Sequence, residues 1–169
     1  KLISYSMRII NNDKFILVDT DHSHSDTYDN CNCWEYTAVH TDIEDVQYAI
    51  VSTDFAHFKY FNEVYGFRNG DEVLRDFASL VAKHNPRAVA ACRDYADNFL
   101  IMVTIKSPEA LVENINNYNM SFVTNQNERY IDSKLELCSG AYIITNPEAG
   151  IVQALDNANK ARKILKEKG

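Results

Sequence analysis

The sequence predicts a mixed domain of strands and helices in the order strand–helix–helix–strand–strand–helix–strand–helix. The apolar run Tyr48–Val51, followed by Asp54, is typical of a buried strand. Beyond Asp54 the apolar spacing changes to Phe58, Phe61 and Tyr65, which fall on one face of a helix. A length of 169 residues, 46% of them apolar and 24% charged, is ordinary for one globular domain with a sizeable core.

The N-terminal part is predicted to be a hairpin followed by a linker. Residues Met7–Asp19 alternate in polarity around a turn at Asn11–Lys14, which is typical of two paired strands. The polar run Asp19–Asn32 then indicates a linker. We therefore expect residues 1–31 to be the end of an upstream segment and residues 32–169 to be the main domain. Because the chain begins with Lys1, we expect it to be a piece of a longer protein.

The linker offers one candidate metal site. His22, His24, Cys31 and Cys33 carry the side chains of a tetrahedral zinc site. Their spacing is not one of the usual zinc patterns, which favours a solvated loop with two thiols packed nearby. Both interpretations stay open on the sequence.

Three helices are expected around the first core strand. The first covers Trp34–Gln47, and Gly66 ends the second. The third begins with Asn69 as its cap and Glu72 three residues later, as in a capping box. Asp71 would lie in its first turn, where pairing with the helix dipole is a sufficient structural explanation.

The second half of the chain alternates strands and helices. Strands are predicted at Arg87–Cys92, Phe99–Thr104 and Leu135–Ile143, with a turn over residues 93–98 between the first two. Ser107 and Pro108 start a helix as its cap and first residue, with Leu111, Val112 and Ile115 inward. Residues 146–148 open the last helix, whose expected inward positions are Ile151, Leu155, Ala158 and Leu165.

Charge and hydropathy exclude several classes of partner. The net charge is −7 and no basic stripe is present, so nucleic acid is not an expected partner. No apolar run approaches the ~20 residues that cross a bilayer, so we expect no membrane contact in this segment. Cys92 and Cys138 lie in strand-like runs as small buried side chains, and the cysteine usage favours a reducing cytoplasm.

The block Asp54–Leu74 carries a family resemblance. Its pattern is D-x-x-H-F-K-x-x-N-x-x-Y-G followed by N-G-D-E-V-L. This resembles the GGDEF family of bacterial diguanylate cyclases, which condense two GTP molecules into cyclic di-GMP, and the resemblance extends from about Asn32 to Gly169. It implies an α+β fold of the nucleotide-cyclase type, a ferredoxin-like palm with a central, mostly antiparallel sheet flanked by helices.

The resemblance also implies a metal site. It places Mg²⁺ on the carboxylates of Asp54 and Asp97, with help from the backbone carbonyl of Phe55. Two hard oxygen ligands suit a Mg²⁺ that carries substrate phosphates.

A nucleotide site is implied as well. Asn62 and Asp71 match the pair that reads guanine, while Lys59 and Lys166 match phosphate contacts. Considered alone, each lysine is a solvated surface charge.

The signature loop departs from the family pattern. Tyr95-Ala96-Asp97-Asn98-Phe99 stands in place of Gly-Gly-Asp-Glu-Phe. Tyr95 and Ala96 obstruct a close backbone approach that glycine allows. Asn98 replaces the glutamate that serves in metal binding or in activating the attacking hydroxyl, and an amide cannot accept that proton.

Three further departures lie outside this loop. Ala56 replaces a second strand-end aspartate. Only Asn32 and a few polar neighbours survive of the D-x-L-T-G-L-x-N-R motif, which helps to shape the nucleotide pocket in the family. The R-x-x-D motif of product inhibition is missing, because its positions hold Pro86–Val89.

Three functions follow as hypotheses. The first is a degenerate GGDEF domain without useful cyclase activity, a regulatory or dimerisation module of a larger signalling protein that still binds GTP and Mg²⁺. The second is an active diguanylate cyclase. The third is a ligand-free interaction domain in which Asp54 and Asp97 merely pair with lysines.

Overall fold

A computed structural model of the chain describes residues 5–11, 14–19, 47–145 and 151–166. The described strands are β1 (Tyr5–Asn11), β2 (Lys14–Asp19), β3 (Gln47–Ala56), β4 (Ala88–Tyr95), β5 (Asn98–Ile105) and β6 (Glu136–Ile143). The described helices are α1 (Phe58–Tyr65), α2 (Phe67–His84), α3 (Pro108–Arg129) and α4 (Ile151–Lys166). The expected linker, most of the first predicted helix and the start of the last one lie outside these residues.

The core of the fold is a four-stranded antiparallel sheet in the order β4-β5-β3-β6. The predicted α+β class with an antiparallel sheet is therefore confirmed. The predicted N-terminal hairpin is also confirmed, since β1 and β2 pair antiparallel as a separate two-stranded sheet. No helix among the described residues is long and apolar enough to span a membrane.

The two faces of the sheet have different coverings. Alternate residues of a strand point to opposite faces. One face carries an aromatic cluster in which Phe55 lies 5.3 Å from Phe77 and 5.9 Å from Phe122, ring centroid to centroid. The other face packs Ile50 and Met102 against the small α4 residues Ala154 and Ala158, so that helix can lie close to the sheet.

The α1–α2 connection corrects one prediction. Gly66, at φ 85°, serves both as the last cap of α1 and as the first cap of α2, a conformation that glycine adopts without strain. Helix α2 therefore begins at Phe67, and the predicted cap at Asn69 is wrong. The Asn69 amide instead donates to the Tyr65 carbonyl at 2.6 Å, and Asp71 lies beyond the first turn.

Smaller corrections concern element ends and one side chain. The turn between β4 and β5 is only two residues long, because both strands extend further than their apolar runs. Gln47 begins β3 instead of ending a helix. The Ser107 hydroxyl accepts from the Ala110 amide at 3.2 Å, which confirms the predicted cap of α3. Val112, expected to be inward, is 56% exposed.

Candidate functional site

The candidate site lies where β3 and β5 meet the β4–β5 hairpin. In the antiparallel register Asp54 is the direct partner of Asn98 on β5 and of Cys138 on β6. Asp54 and Asn98 are both buried, at 7% and 1% exposure. The structure therefore sets the strand-end carboxylate opposite an amide. Asp97, the other predicted metal ligand, lies one residue before Asn98, in the turn.

An arginine from α4 reaches this carboxylate. The Arg162 Nη1 atom lies 2.6 Å from Asp54 Oδ2, and the two side chains are 5% and 10% exposed. The Arg162 Nε–H also donates to the Ser52 hydroxyl at 3.0 Å. An ion pair this well buried has lost most of its hydration, so its two charges depend on each other for stabilisation.

Neutral polar groups complete the cluster. The Ser52 hydroxyl lies 2.7 Å from Asn159 Oδ1 and 3.3 Å from Asn98 Oδ1. A serine hydroxyl has one proton, so it can donate to only one of these oxygens, and the shorter contact is the one to Asn159. The Asn98 Nδ2 atom is buried and finds no hydrogen-bond partner among the described residues.

This arrangement does not fit the Mg²⁺ site that the family resemblance implies. The guanidinium already balances the single charge of Asp54, and the facing residue, Asn98, offers an amide in place of a second carboxylate. Hard divalent cations prefer several oxygen ligands with negative charge among them. Among the described residues, no group of three His, Cys, Asp or Glu side chains could hold a metal ion. The candidate zinc residues lie outside the described ranges.

The β4–β5 hairpin keeps its tight turn despite losing both glycines. Ala96 adopts φ 48°, in the left-handed region that favours glycine. The Arg93 Nε–H donates to the Ala96 carbonyl at 2.5 Å and fastens the turn. The Tyr95 side chain is 52% exposed at the end of β4. Ala96, at the position of the family's second glycine, therefore has the positive φ that is costly for a residue with a Cβ atom.

Two titratable side chains on β4 share the sheet face that α4 covers. Burial raises the pKa of the Asp94 carboxyl, and the nearby Arg162 charge partly opposes that shift. Burial, followed by repulsion from Asp94, raises the pKa of the Cys92 thiol to about 12. Arg162 therefore acts on a second carboxyl besides that of Asp54.

The predicted guanine-reading residues meet at the α1–α2 junction. The Asn62 side chain lies directly over Gly70, where a Cβ atom would come within 2.0 Å of Asn62 Oδ1. This oxygen is buried and has no hydrogen-bond partner within the part of the chain that the structure describes. Asp71 follows Gly70 and is half-buried. The missing side chain of Gly70 thus allows the amide of α1 to approach the carboxylate-bearing turn of α2.

The predicted phosphate contacts are less defined. Lys59 is an almost fully exposed side chain on α1, 3.8 Å from Glu63 one turn later. Lys166 is the last residue of α4, and its side chain lies outside the described part of the structure. Neither placement tests the expected contacts.

The sequence interpretation missed Arg162, Ser52 and Asn159. The expected inward positions of α4 were 151, 155, 158 and 165, and Arg162 falls on the same stripe between the last two. A single charge within an apolar helical stripe requires a buried partner of opposite charge. That signal could have linked Arg162 to the carboxylate of the neighbouring strand.

The antiparallel sheet, the strand-end carboxylate and the short hairpin define a nucleotide-cyclase-like domain. The diguanylate cyclase GGDEF domain model matches residues 36–169. The chain belongs to this family, as its Asp54–Leu74 motif indicated. No curated protein sequence is significantly similar to the chain.

Solved GGDEF structures share the fold. The GGDEF domain of DgcB from Caulobacter crescentus, solved in complex with c-di-GMP, has a TM-score of 0.57 and 20% identity, covering 73% of this chain and 74% of that one. The active GGEEF domain of a diguanylate cyclase from Vibrio cholerae has a TM-score of 0.59 and 20% identity, covering 73% and 78%. The diguanylate cyclase SiaD from Pseudomonas aeruginosa, solved with its activator SiaC, has a TM-score of 0.58 and 17% identity, covering 73% and 47%.

Proposed function

We propose that this chain is a GGDEF domain without useful cyclase activity, serving as a regulatory or dimerisation module of a larger cyclic di-GMP signalling protein. The observation that carries the proposal is the buried pair of Asp54 and Asn98 at the end of the sheet. Where the family has a second carboxylate, this chain presents an amide whose nitrogen has no hydrogen-bond partner.

The chemistry of an amide explains the expected loss of activity. A neutral amide cannot take the proton of an attacking hydroxyl, and losing a general base costs about 10²–10⁴ in rate. The Tyr95 side chain and the Ala96 methyl group add bulk where the family has bare backbone. Both effects reduce turnover while leaving the α1–α2 junction intact.

Guanine nucleotide binding is proposed to persist at Asn62 and Asp71. An amide and a carboxylate can together satisfy the donors and acceptors of the guanine edge. The buried, unpartnered Asn62 Oδ1 supports this, because such an atom costs about 1–3 kcal/mol until a partner is supplied. GTP bound there would act as a regulatory ligand.

We propose a homodimer, or contact with other domains of the same protein, as the setting in which this module works. We place it in the bacterial cytoplasm, where GTP is available. The reduced, buried thiol of Cys92 is consistent with a reducing compartment.

The cyclase question is decided by a product assay. Purified chain is incubated with GTP and Mg²⁺ or Mn²⁺, and the nucleotides are separated by chromatography. We expect no cyclic di-GMP above a no-protein control. Product formed at a rate comparable to that of intact relatives would overturn the proposal.

Nucleotide binding is tested by calorimetry with GTP and Mg²⁺. We expect heat from the unmodified chain, loss of that heat in Asp71→Ala, and its retention in Glu113→Ala. Glu113 is an exposed carboxylate on α3 and serves as the matched control. An absence of heat at millimolar GTP in the unmodified chain would reduce the function to that of an interaction domain.

A further inference from the structure

We infer that Arg162 is a built-in replacement for the divalent cation, so that the family's metal position is closed by a side chain of the protein itself. This inference deepens the proposed function, on which it rests, because it identifies a second cause for the loss of cyclase chemistry besides Asn98. It concerns α4, a helix outside the signature loop in which the departures from the family pattern were found.

The backbone of α4 is fixed against the sheet at this residue. A Cβ atom on Gly140 of β6 would lie 2.0 Å from the Arg162 backbone nitrogen and 2.6 Å from its Cα atom. The Cys138 thiol contacts the Arg162 carbonyl at 3.5 Å. Only a glycine permits this approach, and it sets the arginine side chain over the end of β3.

The guanidinium is held by two acceptors. Nη1 donates to Asp54 Oδ2 at 2.6 Å, and Nε donates to Ser52 Oγ at 3.0 Å. Ser52 and Asp54 are two residues apart on β3 and therefore face the same side of the sheet. Because Arg162 is 4% exposed, the guanidinium is part of the interior and not a mobile surface charge.

A divalent cation and this guanidinium exclude each other. Mg²⁺ binds carboxylate oxygen at about 2.1 Å, so an ion on Asp54 Oδ2 would lie within ~5 Å of Nη1. Two cations at that separation repel strongly in a site that holds little water. The guanidinium already balances the carboxylate of Asp54 at 2.6 Å. An ion placed on that carboxylate would have to displace the guanidinium from its buried position between Asp54 and Ser52.

The inference predicts which substitutions open the metal position. Removing Arg162 alone leaves an amide opposite Asp54, while Asn98→Glu alone leaves the guanidinium beside two facing carboxylates. Only the combination of Asn98→Glu with Arg162→Leu sets two carboxylates opposite each other in the register of β3 and β5 with no guanidinium beside them. A matched control combines Asn98→Glu with Lys163→Leu, which removes an exposed charge from the same helix.

Mn²⁺ binding, followed by the loss of the free-ion electron paramagnetic resonance signal, tests the inference without requiring activity. We expect no binding to the full chain as it stands or to Asn98→Glu. The Asn98→Glu, Arg162→Leu variant should bind about one Mn²⁺ per chain, and the Lys163→Leu control should bind none. Circular dichroism verifies that each variant is folded.

Two results would overturn the inference. The first is Mn²⁺ binding by the unmodified chain that disappears in Asp54→Asn while circular dichroism shows that variant to be folded. The second is equal Mn²⁺ binding by Asn98→Glu with and without Arg162. Neither result requires cyclic di-GMP formation, so the inference can fail while the proposed absence of cyclase activity stands.

Discussion

Breaking the Asp54–Arg162 pair should destabilise the fold more than any exposed charge does. The perturbation is Asp54→Ala, which leaves the Arg162 guanidinium buried at 4% exposure without its anion. Removing one partner of a buried ion pair typically costs about 3–5 kcal/mol. For a chain of this size that loss lowers the melting temperature by ~6–20 °C.

The double variant separates the charge from the packing. In Asp54→Ala, Arg162→Leu both charges are gone, and Ser52 keeps its 2.7 Å contact with Asn159. Apolar replacement of a buried ion pair is often nearly neutral. We therefore expect the double variant to be more stable than Asp54→Ala by about 2 kcal/mol or more.

Urea denaturation followed by circular dichroism measures the free energies of unfolding of the unmodified chain, of the single variants Asp54→Ala and Arg162→Leu, and of the double variant. The control is Lys59→Ala, which breaks an exposed contact 3.8 Å from Glu63 and should cost no more than ~0.5 kcal/mol. If the double variant loses as much stability as the two single variants added together, the side chains are not coupled. That result would refute the argument for a charge-balanced pair.

Three further predictions use the same denaturation or simple labelling. Gly140→Ala should cost about 1–3 kcal/mol by pushing the α4 backbone at Arg162 away from β6. Gly66→Ala has no described atom within 4 Å of its Cβ position and should cost about 1–3 kcal/mol through backbone strain alone, because φ 85° with ψ 155° is a conformation almost restricted to glycine. An α4 helix that keeps its position in Gly140→Ala would contradict the argument. Ala96→Gly should raise stability by up to ~1 kcal/mol by relieving φ 48°, and a loss of stability would contradict the strained turn. Because the Cys92 pKa is raised to about 12 from 9.0, its thiol should resist iodoacetamide at pH 8 until the chain is denatured. The free energy of unfolding that is linked to the protonated Cys92 thiol should be fully present below pH 9 and should fall as the pH rises towards 12. Rapid iodoacetamide labelling of the native chain would contradict the burial of this thiol.

Much of the fold was predictable because its elements carry local signals. The switch of apolar spacing after Asp54 and the Ser107 cap each depend on residues a few positions apart. The start of α2 was not predictable from its cap residue, because Gly66 serves two helices at once and leaves Asn69 inside the second. The start of α2 depends on the positive φ of Gly66, and the side-chain pattern does not predict that angle.

The candidate site was predictable only as separate residues. Motif spacing singled out Asp54 and Asn98, and the antiparallel register then made them direct partners. The contact with Arg162 joins residues 108 positions apart and depends on the close approach of α4 at Gly140. The spacing of residues along the chain does not predict the distance between α4 and β3. The charge of Arg162 within the apolar stripe of α4 was nevertheless a signal that a buried partner exists.

The amide of Asn98 and the guanidinium of Arg162 are physically linked at this site. With a glutamate at position 98, the sheet end would hold two buried carboxylates, which are stable only beside a cation of higher charge. The amide of Asn98 lowers the negative charge by one, and the single remaining carboxylate of Asp54 then matches a single guanidinium. Arg162 would be a poor partner for two carboxylates, and a divalent ion is a poor partner for one. The amide of Asn98 and the guanidinium of Arg162 therefore stabilise the same arrangement around Asp54, because each would be unfavourable there without the other.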